Sequence, residues 1–450
     1  MNKSCMNQFW WEKILLAVWC LLAALPVYAE QNARQSSKQS TMQSLAQDFA
    51  AQKKLTLVEA MQLATQNQPL LQSLDDAAAA AREAAVAEGQ LPDPKLKLGV
   101  LNLPINRGDA LNFNRDDMTM TTIGVMQEVT PSQKREAASN ILEAEAQQFH
   151  TEQTATARSI QRDVALAWLD SHEAQRKTLL YQRLADEMDA ERKVAISRIS
   201  SGAAQANDVL RLDTELSMAK DKLLTTQRDE RRARAGLARW IGEASLRPLS
   251  ADLPDLPTEL NGEQALAELE KHPLLENARY GEHVANSEVE RAKTERLQNW
   301  SWEVMYGKRR SDLSDMVTLQ VAIDLPWDRA NRQDRRTAEK IILVEKARKL
   351  TEDRRRELAT ELESAKADWD LAQAREDEHQ QRLIPTVQAR LELTQAGYAA
   401  GKLTLAEVWE ARRGLIDVEL EHWTILADRA RTAVKLGYLL NSNQFKGSQP

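Results

Sequence analysis

Cysteine is almost missing from this chain. It has two in 450 residues, Cys5 and Cys20, both near the start. Everything downstream is therefore without disulfides and without thiol redox chemistry. Aromatic residues make up 5% of the chain, and there are only 15 glycines and 13 prolines. Such scarcity argues against an all-β domain and against low-complexity linkers. A basic excess is missing too. The formal charge is −7, so the electrostatic footprint of a nucleic-acid binder is absent, and no nucleic-acid partner is expected. Catalytic signatures are missing as well: no HExxH, CxxC, Walker loop or GxGxxG occurs. The six histidines (150, 172, 272, 283, 379 and 422) are scattered without ligand spacing. These absences predict a protein that is not an enzyme and holds no cofactor or resident metal.

What is present is helix-forming sequence, rich in Ala, Leu, Glu, Arg and Gln. Stretches such as "RDERRAR" and "TEDRRRELATELE" alternate charge sign, which marks solvated helix faces. At the N-terminus, Lys3 and Lys13 precede a 12-residue apolar run, Ile14–Leu25, then "PVYA" with Ala29 at the cut. The run is shorter than the ~20 residues of a spanning helix. Residues 1–29 therefore read as a secretory signal that takes both cysteines with it. Trp19 fits a lipidation site at Cys20 poorly. Residues 30–52 and 441–450 read as disordered tails.

The remaining chain is one unit written twice. Pro69-Leu70-Leu71 recurs as Pro273-Leu274-Leu275, 204 residues on, and the same offset lays "LKLGV" on "WSWEV". "GVMQEVTP" answers "QVAIDLP". "RISSGAAQANDVLRLD" answers "YAAGKLTLAEVWEARR", each with a lone glycine in helical sequence, Gly202 and Gly401. The first repeat spans 53–242 and the second 263–440, joined by a Pro-rich linker at 243–262. Each reads as helix, two strands, long helix, a break at glycine, and a return helix. The first helices are expected over 56–90 and 263–296. The long helices, 132–199 and 328–398, have about 70 residues each, so they span ~100 Å. Pro385 is expected to kink the second. The return helices run near 204–240 and 404–440.

The strand pairs fall at 95–129 and 299–325. Val317, Leu319, Val321, Ile323 and Leu325 alternate onto one face. So do Trp300, Trp302, Val304 and Tyr306, and so do Leu96, Leu98 and Val100. The pattern and length suit tilted membrane strands, and Trp300, Trp302 and Tyr306 suit a membrane-interface girdle facing lipid. A small soluble sheet packed on the helices is the other reading. Met118, Met120 and Met126 alternate within one strand, so a barrel-facing role outweighs a soft-metal box. Four strands cannot close a barrel alone, and an open edge cannot sit in lipid, so closure would need several chains.

Together these features resemble the TolC family of outer-membrane efflux proteins, over about residues 55–440. Within it, "GQLPDPKLKLGVLNLP" and "MTMTTIGVMQEVTPSQKR" are most similar to the heavy-metal efflux branch. The resemblance implies a mainly α fold with a small β part. Four strands from each chain of a homotrimer would form a 12-stranded outer-membrane barrel, continued by a periplasmic α-helical barrel. It implies a passive exit duct from periplasm to exterior, with a periplasmic adaptor and an inner-membrane transporter of the RND type as partners. The glycines would mark helix-hairpin tips that seat the adaptor at Ser201, Gly202, Ala203, Ala400, Gly401, Lys402 and Leu403. A periplasmic gate would use Glu407 and Glu410, with Tyr398 linked to Asp208. The family's basic latch position is Leu403 here, with Lys402 beside it. A periplasmic adaptor or coiled-coil scaffold is the alternative, but adaptors carry one hairpin and several soluble β modules.

Overall fold

The computed structural model describes residues 54–440 except 67, 107, 109, 200–205, 252 and 254–261. The signal segment, both tails, much of the linker and the first tip, Ser201-Gly202-Ala203, lie outside the described residues.

Each repeat opens with a broken helix rather than the continuous one expected. Helix α1 (Leu57–Thr65) stops before α2 (Pro69–Glu88), and α5 (Gly262–Leu269) stops before α6 (Pro273–Thr294). Proline is the cause at both sites. Its ring pushes the preceding residue out of the helical region, and Gln68 and His272 are both extended (ψ 119° and 133°). Proline then occupies the first helical turn, where its missing N–H is not needed.

Four strands follow the two opening helix pairs: β1 (Lys95–Leu101) and β2 (Met120–Val129), then β3 (Trp300–Lys308) and β4 (Met316–Ile323). They form one antiparallel sheet in the order β1-β2-β3-β4, so the two repeats meet at the β2–β3 seam. Among the described residues, neither β1 nor β4 has a partner on its outer side, so the sheet is open.

From β2 the chain enters α3 (Ser132–Ile199), one continuous helix of 68 residues, about 100 Å long. α4 (Ala206–Ile241) returns along it. In the second repeat, α7 (Gln333–Glu378) passes through a π-helical turn, His379–Leu383, into α8 (Ile384–Ala399). Pro385 lacks an N–H, and its ring crowds the carbonyl four residues back. The helix answers by widening instead of breaking, and the Ile384 N–H bonds the His379 carbonyl five residues earlier. α9 (Leu405–Leu439) returns along α3, α7 and α8. α2 and α6 pack on α3 between the sheet and these return helices.

The buried side chains are strung along the rod rather than gathered in one globule. One cluster, near the middle of α3, joins Leu55, Trp168, Leu237 and Val434. A second joins Leu275, Leu362, Trp369 and Leu439, and a third, toward the tip, joins Leu184, Leu212, Trp409 and Ile416. Exposed arginines on the long helices pair within a turn or across helices. Examples are Arg183–Glu187 at 3.0 Å and Arg355–Glu270 at 2.8 Å. Surface pairs of this kind are worth a few tenths of a kcal/mol each, about 0.2–1.

Candidate functional site

The sheet register gathers one apolar face. Leu96 pairs with Val125 and Leu98 with Ile123. Ile123 pairs with Tyr306, and Val125 with Val304. Trp300, Trp302, Val304 and Tyr306 pair with Ile323, Val321, Leu319 and Val317. All of these side chains are exposed, Leu319 at 76%. A soluble sheet packed on helices would bury one face, and nothing among the described residues covers this one. "MTMTTIGVMQEV", the weakest strand in sequence, fits the same rule once Ile123 and Val125 are placed.

Trp300 and Trp302 lie at the helix end of β3, and Tyr306 lies six residues on, about 20 Å away along the strand. The Tyr306 hydroxyl donates to Asp315 in the β3–β4 loop. Trp327, four residues beyond the end of β4, is 93% exposed. Periodicity missed it because it lies outside the alternating run. At the loop end, Arg310 ties the two hairpin loops together. It donates to the Asn114 carbonyl at 3.0 Å and pairs with Asp117 at 3.0 Å.

The opposite face mixes charged and polar residues with methionines and glycines. Lys97 of β1 reaches across β2 to Glu303 of β3. Between them stands Gly124, where an added Cβ would lie 2.9 Å from the Val304 carbonyl oxygen. Met120 and Met126 lie on this face, and Met120 packs its sulfur over Gly307. Met118 lies in the preceding loop, half exposed.

At the far end of the rod the chain reverses at Gly401, with φ +72°. Open space surrounds it, so the glycine is needed for its left-handed backbone and not for close approach. The turn is a Schellman motif. The Gly401 N–H donates to the Tyr398 carbonyl at 2.9 Å, and the Lys402 N–H donates to the Gly397 carbonyl at 2.9 Å. Leu403, at the expected latch position, folds its side chain onto Gly397. Ala400 and Lys402 are exposed, and Tyr398 is half-buried.

The next helix starts with a capping box. The Glu407 N–H donates to Thr404 Oγ1, and the Thr404 N–H donates back to Glu407 Oε2 at 2.7 Å. These bonds from Thr404 hold the Glu407 carboxyl below the usual carboxylate range, first the backbone donor and then the hydroxyl. "TLAE" at 404–407 carries this signal in plain sequence. Glu410, one turn on, faces Arg390 of α8 at 3.5 Å, with both side chains exposed. Asp208 lies in the first turn of α4. Among the described residues, no cluster of three or more His, Cys, Asp or Glu could hold a metal ion.

Residues 266–442 match the family model described as outer membrane efflux protein. None of the curated proteins matches the chain in sequence. Solved structures match its fold. CusC, which forms a transmembrane channel, is 14% identical with a TM-score of 0.69, covering 87% of this chain and 95% of its own. The CmeC outer membrane channel of Campylobacter jejuni is 12% identical with a TM-score of 0.70, covering 85% of each chain. The MtrE outer membrane channel of Neisseria gonorrhoeae, in its open state, is 16% identical with a TM-score of 0.68, covering 86% of this chain and 89% of its own. The second repeat is thus similar in sequence to outer membrane efflux proteins, and the chain as a whole has the fold of outer-membrane channels.

Proposed function

We propose that this chain is the outer-membrane exit duct of a tripartite efflux system. The observation that carries the reading is the open four-stranded sheet at the end of ~100 Å helices, with one exposed face apolar along its middle and polar only toward the rims, at Thr121, Gln127 and Lys308. An open edge is untenable in lipid. Three copies, pairing the β1 edge of one with the β4 edge of the next, would close 12 strands and leave no edge. The apolar face then meets lipid, with Trp300, Trp302 and Trp327 at one interface and Tyr306 toward the other. Lys97, Glu303 and the methionines face the lumen. The helical rods extend into the periplasm.

The tips seat a periplasmic adaptor on Ser201-Gly202-Ala203 and Ala400-Gly401-Lys402-Leu403. An inner-membrane transporter of the RND type supplies the energy. Around the three-fold axis Glu407 and Glu410 form the narrow, cation-favouring gate. The duct performs no chemistry of its own. The heavy-metal likeness of residues 89–104 and 118–135 supports cations as cargo.

Reconstitution tests the reading. The purified protein is expected to be a detergent-dependent trimer that conducts in planar bilayers. Brominated lipid should quench its tryptophan fluorescence, and the quenched fraction should fall in Trp300→Phe and Trp302→Phe. A detergent-free soluble monomer without quenching would overturn the proposal.

A further inference from the structure

The α8 segment below the π turn is unusual. None of its side chains is buried, and within the chain it packs chiefly on α9. Its attachment is the π turn, a geometry that recurs at functional positions in helices. His379, the first residue of that turn, is only 7% exposed. Its ring stacks on that of His422 from α9, with centroids 6.3 Å apart and planes 14° from parallel. Nδ1 of each ring is buried without a hydrogen-bond partner. Such a pair is a costly way to fill a helix joint unless the joint is meant to yield.

The charges around the stack are already engaged. On α7, Glu376 is held by Arg429 of α9, and Arg375 by Glu421 at 2.8 Å. In the π turn, Arg382 pairs with Glu378 at 3.4 Å. On α3, Arg176 donates to the Ala251 carbonyl at 2.9 Å and lies over the Trp423 ring.

We propose that the His379–His422 stack is an acid-sensitive hinge. Neutral, it holds α7 against α9; protonated, it releases the α8–α9 arm that carries the Gly401 tip. Burial holds the His422 imidazole below its ordinary value; Glu376 pulls the other way, and His379 pushes it down again. A lowered folded-state value means that the opened joint binds protons more readily than the packed one. The packed joint therefore loses ground as pH falls through the ordinary histidine range. Two stacked imidazolium rings also repel. In a duct, which rests on the function proposed above, the periplasmic end would loosen in acid.

Amide hydrogen exchange on the full-length assembled protein, corrected for intrinsic rates, tests the hinge. Protection over 376–399 and 418–426 should fall at least tenfold between pH 7.5 and 5.5. The double variant His379→Gln, His422→Gln should lose that response, while His150→Gln and His283→Gln, at exposed histidines, should keep it. A flat wild-type profile, or an equal fall in the double variant, overturns the hinge. If the double variant fails to assemble, histidine-labelled NMR of the wild type decides: ordinary titration of both rings with no local exposure also overturns it. A hinge that answers to pH while bilayers record no channel at any pH upholds the hinge and refutes the duct.

Discussion

His272 shows how much one side chain is asked to do. It is fully buried, its Nδ1 accepts the Leu274 N–H at 3.3 Å to cap α6, and its ring meets Tyr438 edge-on. Burial first, then the nearby Arg158 guanidinium, push its imidazole down to about 4. The unfolded chain protonates this residue near 6.5, so between pH 6.5 and 4 the unfolded state holds the extra proton. Stability therefore falls as pH drops through that window, by roughly 3 kcal/mol in full. Melting of the helical signal at pH 7 and 4.5 should show the loss. It should be smaller in His272→Asn, which keeps a capping side chain but cannot charge.

Glu407 separates two roles at the same scale. Its lowered carboxyl means that the cap holds above the ordinary glutamate range and frays as pH falls through the folded value. Glu407→Gln keeps a capping acceptor and removes the charge, whereas Glu407→Ala removes both. If the gate is made of charge, Glu407→Gln with Glu410→Gln should lower cation selectivity in bilayer recordings without changing helix content. Unchanged selectivity would place the constriction elsewhere.

At the scale of elements, the strands are the most constrained. Lys97 reaches Glu303 across β2, where Gly124 lies tight against the Val304 carbonyl oxygen and the Met305 side chain. Gly124→Val puts a branched side chain against a backbone oxygen that cannot swing aside. It should destabilise the β2–β3 seam by about 1–3 kcal/mol. Less heat-resistant trimer on gels is the expected outcome, and unchanged resistance would mean that the seam adjusts freely. The alternation of apolar residues made the strands and their outward face legible beforehand. The breaks before Pro69 and Pro273 were legible in principle, because the proline rule is local. The π turn was not, since proline requires a disturbance but not which one.

For the whole molecule, the tip prediction is sharpest. Gly401→Trp puts a side chain at a left-handed backbone, at a cost of roughly 1–2 kcal/mol. That is small beside the packing of the long helices, so the assembly should survive. Adaptor cross-linking and efflux should fall, while Gln373→Trp, at an exposed position far up α7, leaves both intact. Normal docking in Gly401→Trp would reduce the glycine to simple turn punctuation.

The sequence alone determined the duplication, the span of the first long helix and of the return helices, the strand faces and the need for a special backbone at Gly401. Each is local, written in spacing and in residues with restricted dihedral angles. It did not determine which lone side chains would meet. The Lys97–Glu303 pair spans 206 residues and depends on strand order. The His379–His422 stack depends on how α9 returns beside the π turn. The pull on Leu403 toward Gly397 depends on the exact pitch of a six-residue reversal. The first two contacts come from distant parts of the chain, and none of the three carries a periodic signal. Only the packing of the elements against one another decides them.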